Sequence, residues 1–161
     1  MARGPPAAQC RPQSVVPTSV STVKRRLFVQ VNRIANAIIR RLKLRRFRGG
    51  DLLFLTTTGR KSGKTRTTPL LYLEDDHRWV VVASNGGSDH APGWLFNVEA
   101  DAAVRVQVGD EQYDATARVV TPGDDDYARL WQAVNAVNGH RYDAYQAKTS
   151  RPIAMVVLTR R

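Results

Sequence analysis

The chain has 161 residues, 42% of them apolar, which suffices for one domain with a real core. Its formal charge is +11, yet residues 1–50 hold twelve Lys and Arg with no acid, while residues 51–161 hold thirteen against fourteen acids. A folded part carrying −1 lacks the basic surface of a nucleic-acid-binding fold, so no nucleic acid is expected as partner.

One cysteine, Cys10, excludes an internal disulfide. The absence of CxxC or CxxxH spacing, with His77, His90 and His140 far apart, leaves no metal site to expect. No apolar run reaches the ~18–20 residues that cross a bilayer. Residues 1–20, rich in Pro, Ala and Ser, read as a disordered leader without the apolar stretch of a secretory signal, and the expected location is cytoplasmic. Residues 21–48 read as a basic amphipathic helix. Leu27, Val31, Ile34, Ala35, Ile38 and Leu42 share one face, which Phe28 and Ile39 widen; Arg26, Arg33, Arg40 and Arg41 lie opposite or at its border, and Gly49 and Gly50 stop it. Residues 24–48 therefore suit either packing on the domain or peripheral contact with an anionic membrane, at the inner face of the cell membrane.

From residue 49 the texture is β-like. Strands are expected at Leu52–Thr58, at Thr65–Asp75 with Pro69 marking an edge or bulge, and at Arg78–Ser84 after the polar turn EDDH. A Gly-containing loop, SNGGSDHAPG, leads to a short helix from about Pro92. Ala102–Val120 is a hairpin turning at Gly109–Asp110, and Asp124–Val137 is a helix with Asp124, Asp125 and Asp126 at its N-terminus. A second helical piece follows from Tyr142, and Pro152–Thr159 is the last strand. About six strands with peripheral helices make a mainly β (α+β) domain over residues 49–161, a small β-barrel.

The segment GRKSGKT (Gly59–Thr65) falls short of a P-loop. It has three residues between its glycines where four are required, and TRTTPLLYL follows where a helix must begin. Arg60, Lys61, Lys64 and Arg66 nevertheless place four cations within seven residues, interleaved with Ser62, Thr65 and two glycines. On composition this is either a site for phosphate or polycarboxylate or a solvated charged turn.

The runs LLFLTTTGRKSGKTRTTPLLYL (Leu52–Leu73), VVVASNGGSDHAPGWLFNVEAD (Val80–Asp101), VQVGDEQYDATAR (Val106–Arg118) and YDAYQAKTSRPIAMVVL (Tyr142–Leu158) resemble the deazaflavin-dependent nitroreductase family in order and spacing. The resemblance implies a split β-barrel like that of FMN-binding proteins, with coenzyme F-420 (8-hydroxy-5-deazaflavin) as cofactor. It implies that Arg60, Lys61, Ser62 and Arg66 hold the cofactor's phosphate and acidic tail, and that Thr67, Thr68 and Pro69 run along its ring system. By the same resemblance Ala83, Ser84, Asn85, Gly86 and Gly87 pass beneath the ring, and Trp94 and Asn97 close the pocket, although Trp94 equally suits core packing. Tyr142 and Tyr145, three apart on one helical face, would line the substrate side with Ser84 and act in catalysis as proton donor or acceptor-orienting group. Gly139, flanked by Asn138 and His140, stands where a quinone- and nitroimidazole-reducing relative has a third tyrosine.

The implied reaction is hydride transfer from the reduced deazaflavin to an electron-poor small molecule: a quinone, including a membrane quinone, a nitro compound or an activated alkene. The alternatives are an FMN-binding split-barrel oxidoreductase and a non-catalytic cofactor-binding protein.

Overall fold

The computed structural model describes residues 46–47 and 50–161. The leader and nearly all of the expected basic helix, with its membrane contact, lie outside the described residues. The exception is Arg46–Phe47, expected to finish that helix, which instead forms a short strand (β1) paired with the start of β2 (Gly50–Thr58), Phe47 opposite Gly50 and Arg46 opposite Asp51. A two-residue link between paired residues is the length of a tight hairpin, so pairing with β2 overrides helix propensity at these two positions.

Six further strands close on themselves: β2, β3 (Thr65–Asp75), β4 (Arg78–Val82), β5 (Ala103–Val108), β6 (Glu111–Val120) and β7 (Met155–Arg160). Around the barrel the order is β2-β3-β4-β7-β6-β5, all pairs antiparallel, with β5 returning to β2 through Leu53–Val108 to Thr56–Arg105. Two tight turns fall where the sequence places them. Asp76 and His77 both take positive φ (49° and 60°), as a two-residue turn of type I′ requires, and Gly109 does so (61°) in the β5–β6 turn.

Side-chain alternation sorts the apolar residues into two layers. Leu53, Leu55, Val81, Val104, Val106, Ala115, Val156 and Leu158 fill the barrel with Trp94, Leu95 and Val98 from α1 (Gly93–Ala100). Val80, Val82, Met155 and Val157 point outward and are covered by Leu130 and Val134 of α2 (Tyr127–Asn138) and Tyr142 of α3 (Arg141–Gln146). Both faces of β4 and β7 are thus buried, which is why VVVA and MVVL read as continuous apolar runs rather than alternating ones. Asp75, at the tip of the β3–β4 hairpin, receives both Arg129 amino groups of α2 (2.7 and 3.1 Å) and Arg78 (3.0 Å). The Arg129 hydrogen bonds in particular hold its carboxyl below the usual aspartate range.

The acids before α2 are used differently from expectation. The Asp124 carboxylate accepts from the Thr121 amide and hydroxyl (2.7 and 2.9 Å), closing a turn, and Asp126 pairs with Arg118 at 2.6 Å. No side-chain cap forms at Asp126. The helix begins at Tyr127 because residues 121–124 are already committed to a hydrogen-bonded turn.

Candidate functional site

The barrel is split on one side. β3 pairs with β2 over Thr65–Leu71, but β4 joins β3 only from Tyr72 onward. The other edge of Thr65–Leu71 therefore faces a gap rather than a strand, and Pro69, which has no N–H to offer a neighbour, sits within it. Thr67 is anchored across the β2 pair by its hydroxyl, 2.9 Å from that of Thr56.

At one end of the gap lies the cationic loop. The Gly59 carbonyl accepts from the Ser62 and Gly63 amides, and the Gly59 amide donates to the Lys64 carbonyl, so Arg60–Gly63 form a tight turn. A Cβ at Gly59 would lie 2.9 Å from Ser62 Oγ and 3.0 Å from the Lys64 carbonyl oxygen, which accounts for the glycine. The Asn97 side chain locks this turn to α1. Its Oδ1 accepts the Arg60 amide at 3.1 Å, and its Nδ2 donates to the Thr57 hydroxyl at 3.1 Å. The Arg60 guanidinium lies over the Phe96 ring, 4.9 Å from its centroid. A cleft of about 370 Å³ opens here, lined by Arg60, Lys61, Ser62, Arg66, Thr68 and Trp94, among others. Trp94 is buried in the barrel core and also lines this cleft. Asn97→Ala should leave the Arg60 amide and Thr57 hydroxyl without partners at a cost of roughly 1–3 kcal/mol. Thermal melting would show it, and a variant as stable as the parent would dismiss the lock.

Past the end of β4, Ala83 and Ser84 are buried, and Asn85, Gly86 and Gly87 take φ of 46°, 66° and 80°. Gly87 meets α3: a Cβ there would sit 2.6 Å from the Tyr145 carbonyl oxygen. Between the outer faces of β3 and β4 and the end of α2 runs a second cavity of about 320 Å³, walled by Leu71, Leu73, Val80, Val82, Val134 and Val137. Its polar lining is Asp51, Tyr72 and Glu74 together with Asn138 and Tyr142. Burial pushes the Tyr142 phenol up, partly offset by the adjacent Asn138 amide and Arg141. Asn138 Nδ2 is itself buried without a hydrogen-bond partner. Tyr145 is half-buried, edge-on to Tyr142 at 6.2 Å, with the Lys148 ammonium over its ring.

Alternation along the strands joins the pieces. Pro69 shares a strand face with Leu71, about one strand step (~7 Å) away, and Ser84 follows Val82 by two residues just past the end of β4, so the second cavity adjoins the gap. Gly139, in left-handed conformation (φ 67°, ψ 43°), caps α2, and a Cβ there would meet open space. A tyrosine at this position would carry backbone strain, and its absence leaves the slot mouth to Asn138 and Tyr142.

Sequence reasoning did not single out Asn138 as a donor, Phe96 as the Arg60 platform, or Arg151. Arg151 donates to three carbonyls of the Ala83–Ser88 loop: to Ser84 at 2.7 Å, Ser88 at 2.8 Å and Ala83 at 3.2 Å. No local pattern could have shown this, because the partners are 63 to 68 residues away.

A barrel split beside a cationic cleft, with a glycine loop and a second cavity following it, suits an oxidoreductase that takes a phosphorylated flat-ring cofactor. The residues present fit the deazaflavin coenzyme: cations suited to its phosphate and acidic tail, and open space at Gly86 where a flat ring could approach the backbone.

Comparison with known proteins agrees. The profile of the F420H(2)-dependent quinone reductase family matches residues 24–160, and the chain belongs to that family. It is therefore an oxidoreductase with coenzyme F420 as its cofactor, which decides against FMN and against a non-catalytic binder. The chain is 46% identical over 143 residues to an F420H(2)-dependent quinone reductase of Mycobacterium tuberculosis, covering 86% of this chain and 96% of that protein. Among solved structures it resembles an F420-H2 dependent reductase (FDR-A), with 37% identity and a TM-score of 0.60 over 66% of this chain and 92% of that one. It also resembles a protein described as a domain-swapped dimer, with 30% identity and a TM-score of 0.62 over 88% and 99%. The haem storage protein HutZ of Vibrio cholerae, at 15% identity and a TM-score of 0.52, shares the fold alone. No described helix is long and apolar enough to cross a membrane.

Proposed function

We propose that this protein reduces neutral, ring-shaped carbonyl acceptors of the quinone type, bound in the slot beneath α2, with the coenzyme along the gap between β3 and the Ala83–Gly87 loop. The carrying observation is the adjacency of the two spaces: the slot is walled by Leu71, one step along the same face of β3 from Pro69, and by Val82, two residues before Ser84. Nitro compounds and activated alkenes of similar size are acceptors of the same shape and would enter the same cavity.

When bound, the reduced coenzyme supplies the hydride. The chain's own residues do the rest. Arg60, Lys61, Ser62 and Arg66 hold the charged end, and Thr67, Thr68 and Pro69 border the ring. Trp94 and Asn97 fix the cleft wall. The slot excludes water from one face of the acceptor. The buried Asn138 side-chain amide, beside the Tyr142 phenol, offers a hydrogen bond to an acceptor oxygen. The Tyr142 hydroxyl, whose burial keeps it protonated at neutral pH, delivers a proton to the oxygen on which charge develops. Ser84 and Tyr145 orient the acceptor from the other side.

Titration with reduced coenzyme followed by a panel of quinones and nitro compounds tests the reading. Turnover with nitro compounds but with no quinone would overturn it. Tyr142→Phe should lower kcat on the order of a hundredfold with coenzyme affinity unchanged. Unaltered kcat would remove Tyr142 as proton donor and leave Tyr145 to be tested in the same way.

A further inference from the structure

The Ala83–Ser88 loop holds an unfavourable backbone. Ser84 is right-handed helical (φ −71°, ψ −35°), and three left-handed residues follow, one of which, Asn85, carries a side chain. Such a run persists only where its surroundings over-determine it. Asn85 Nδ2 donates to the His90 carbonyl (2.9 Å), and the Thr149 hydroxyl donates to Asp89 (2.9 Å). The most extensive hold is Arg151, whose single planar fork reaches the carbonyls of Ala83, Ser84 and Ser88. Lysine, a point charge on a flexible stem, could not span them at once.

This grip has a directional consequence. A trans peptide unit places its C=O and N–H on opposite sides. With the carbonyls of Ala83 and Ser84 both turned to Arg151, the amides of Ser84 and Asn85 point the other way. The guanidinium is partly desolvated, which lowers its pKa, and Asp89 acts against that as the facing acid. The other titratable groups near the loop are His90, Lys148 and Tyr145. A positive charge thus stands directly behind two amides aimed at whatever the loop receives.

We propose that Arg151 is a positioning residue for the coenzyme, holding the Ser84 and Asn85 amides toward the ring while its charge favours the ring's anionic form. This rests on the reading of the Ala83–Gly87 loop as the seat of the deazaflavin. The ring hydroxyl of an 8-hydroxy-5-deazaflavin is conjugated with the ring carbonyls. Loss of its proton to solvent therefore spreads negative charge over the whole system, and amide donors backed by a cation stabilise that charge.

The test is an absorbance titration of oxidised coenzyme bound at saturation to the full chain, with affinity measured in parallel. Arg151→Gln should raise the apparent pKa of the bound ring hydroxyl by about one unit, a tenfold change in its dissociation constant, and weaken binding about tenfold. Arg151→Lys should weaken binding yet leave the bound ring titrating near the wild-type value, because the charge is kept and the fork lost. Asp89→Asn, an exposed substitution that keeps an acceptor for Thr149, should shift the pKa the opposite way. Should Arg151→Gln fail to fold by circular dichroism, the Lys and Asp89 variants still decide the matter. Identical titration of the bound ring in all folded variants would overturn the proposal while leaving the coenzyme site intact. A wild-type chain that takes up no coenzyme would overturn the reading of the loop and this proposal with it.

Discussion

Gly87→Ala is expected to lower the melting temperature by on the order of 10 °C and to remove most reductase turnover. Gly87 has φ +80°, and an added Cβ would lie 2.6 Å from the Tyr145 carbonyl oxygen and 3.1 Å from Tyr145 Cα. Both obstructing atoms are backbone of α3, so no side-chain rotation relieves the contact. Left-handed strain costs about 1–2 kcal/mol and overpacking about 1–3 kcal/mol, together about 3 kcal/mol. For a domain of this size that corresponds to a shift of roughly 10 °C. The relief available to the protein is to move α3 off the loop, which carries Tyr142 away from the slot. Gly86→Ala separates the two effects. It has φ +66° with nothing within 4 Å of the added Cβ, so only the strain remains. Equal melting of the Gly86 and Gly87 variants would show that the contact with α3 is not tight.

Replacing Arg60 and Arg66 together by alanine should weaken coenzyme binding about a hundredfold and flatten its dependence on ionic strength. Each guanidinium supplies charge-assisted hydrogen bonds to phosphate or carboxylate oxygens, worth about tenfold apiece at this exposed position. The loop itself should keep its shape, because its turn is closed by main-chain bonds at Gly59 and by Asn97. Stability should therefore change little while affinity falls, which distinguishes a ligand-binding loop from a solvated turn. Affinity within about threefold of wild type would return the loop to the second category. Isothermal titration at two salt concentrations measures both quantities.

These two predictions draw on different sources. The cationic loop was legible in the sequence because its ingredients are contiguous: GRKSGKTR places glycines, a turn and four cations in one stretch of chain. The β2, β3, β4 and β5–β6 segments were legible for a similar reason, since alternation and turn residues such as Asp76–His77 and Gly109 act locally. Composition could not tell a phosphate site from a charged turn; the accompanying blocks at the family's spacing are what favour the former.

Contacts across the fold were invisible at that level. The pairing of β4 with β7, the closure of β5 on β2 and the split beside Pro69 depend on which strands meet, and side-chain period two is the same whichever partner is chosen. Arg46–Phe47 read as the end of a helix because propensity is a local quantity, whereas their pairing with β2 is not. Asp124 and Asp126 read as helix-terminal charges, but a turn at Thr121 and the Arg118 side chain claim them.

By itself, then, the sequence determined the class of domain, the turns, the cationic loop and the family. The tertiary structure alone decided that Gly87 must be glycine, that the Asn138 amide is buried at the second cavity beside Tyr142, and that Arg151 holds the Ala83–Ser88 loop. The physical reason is that a residue's type sets what it can bond, while only the closed barrel sets what lies within reach.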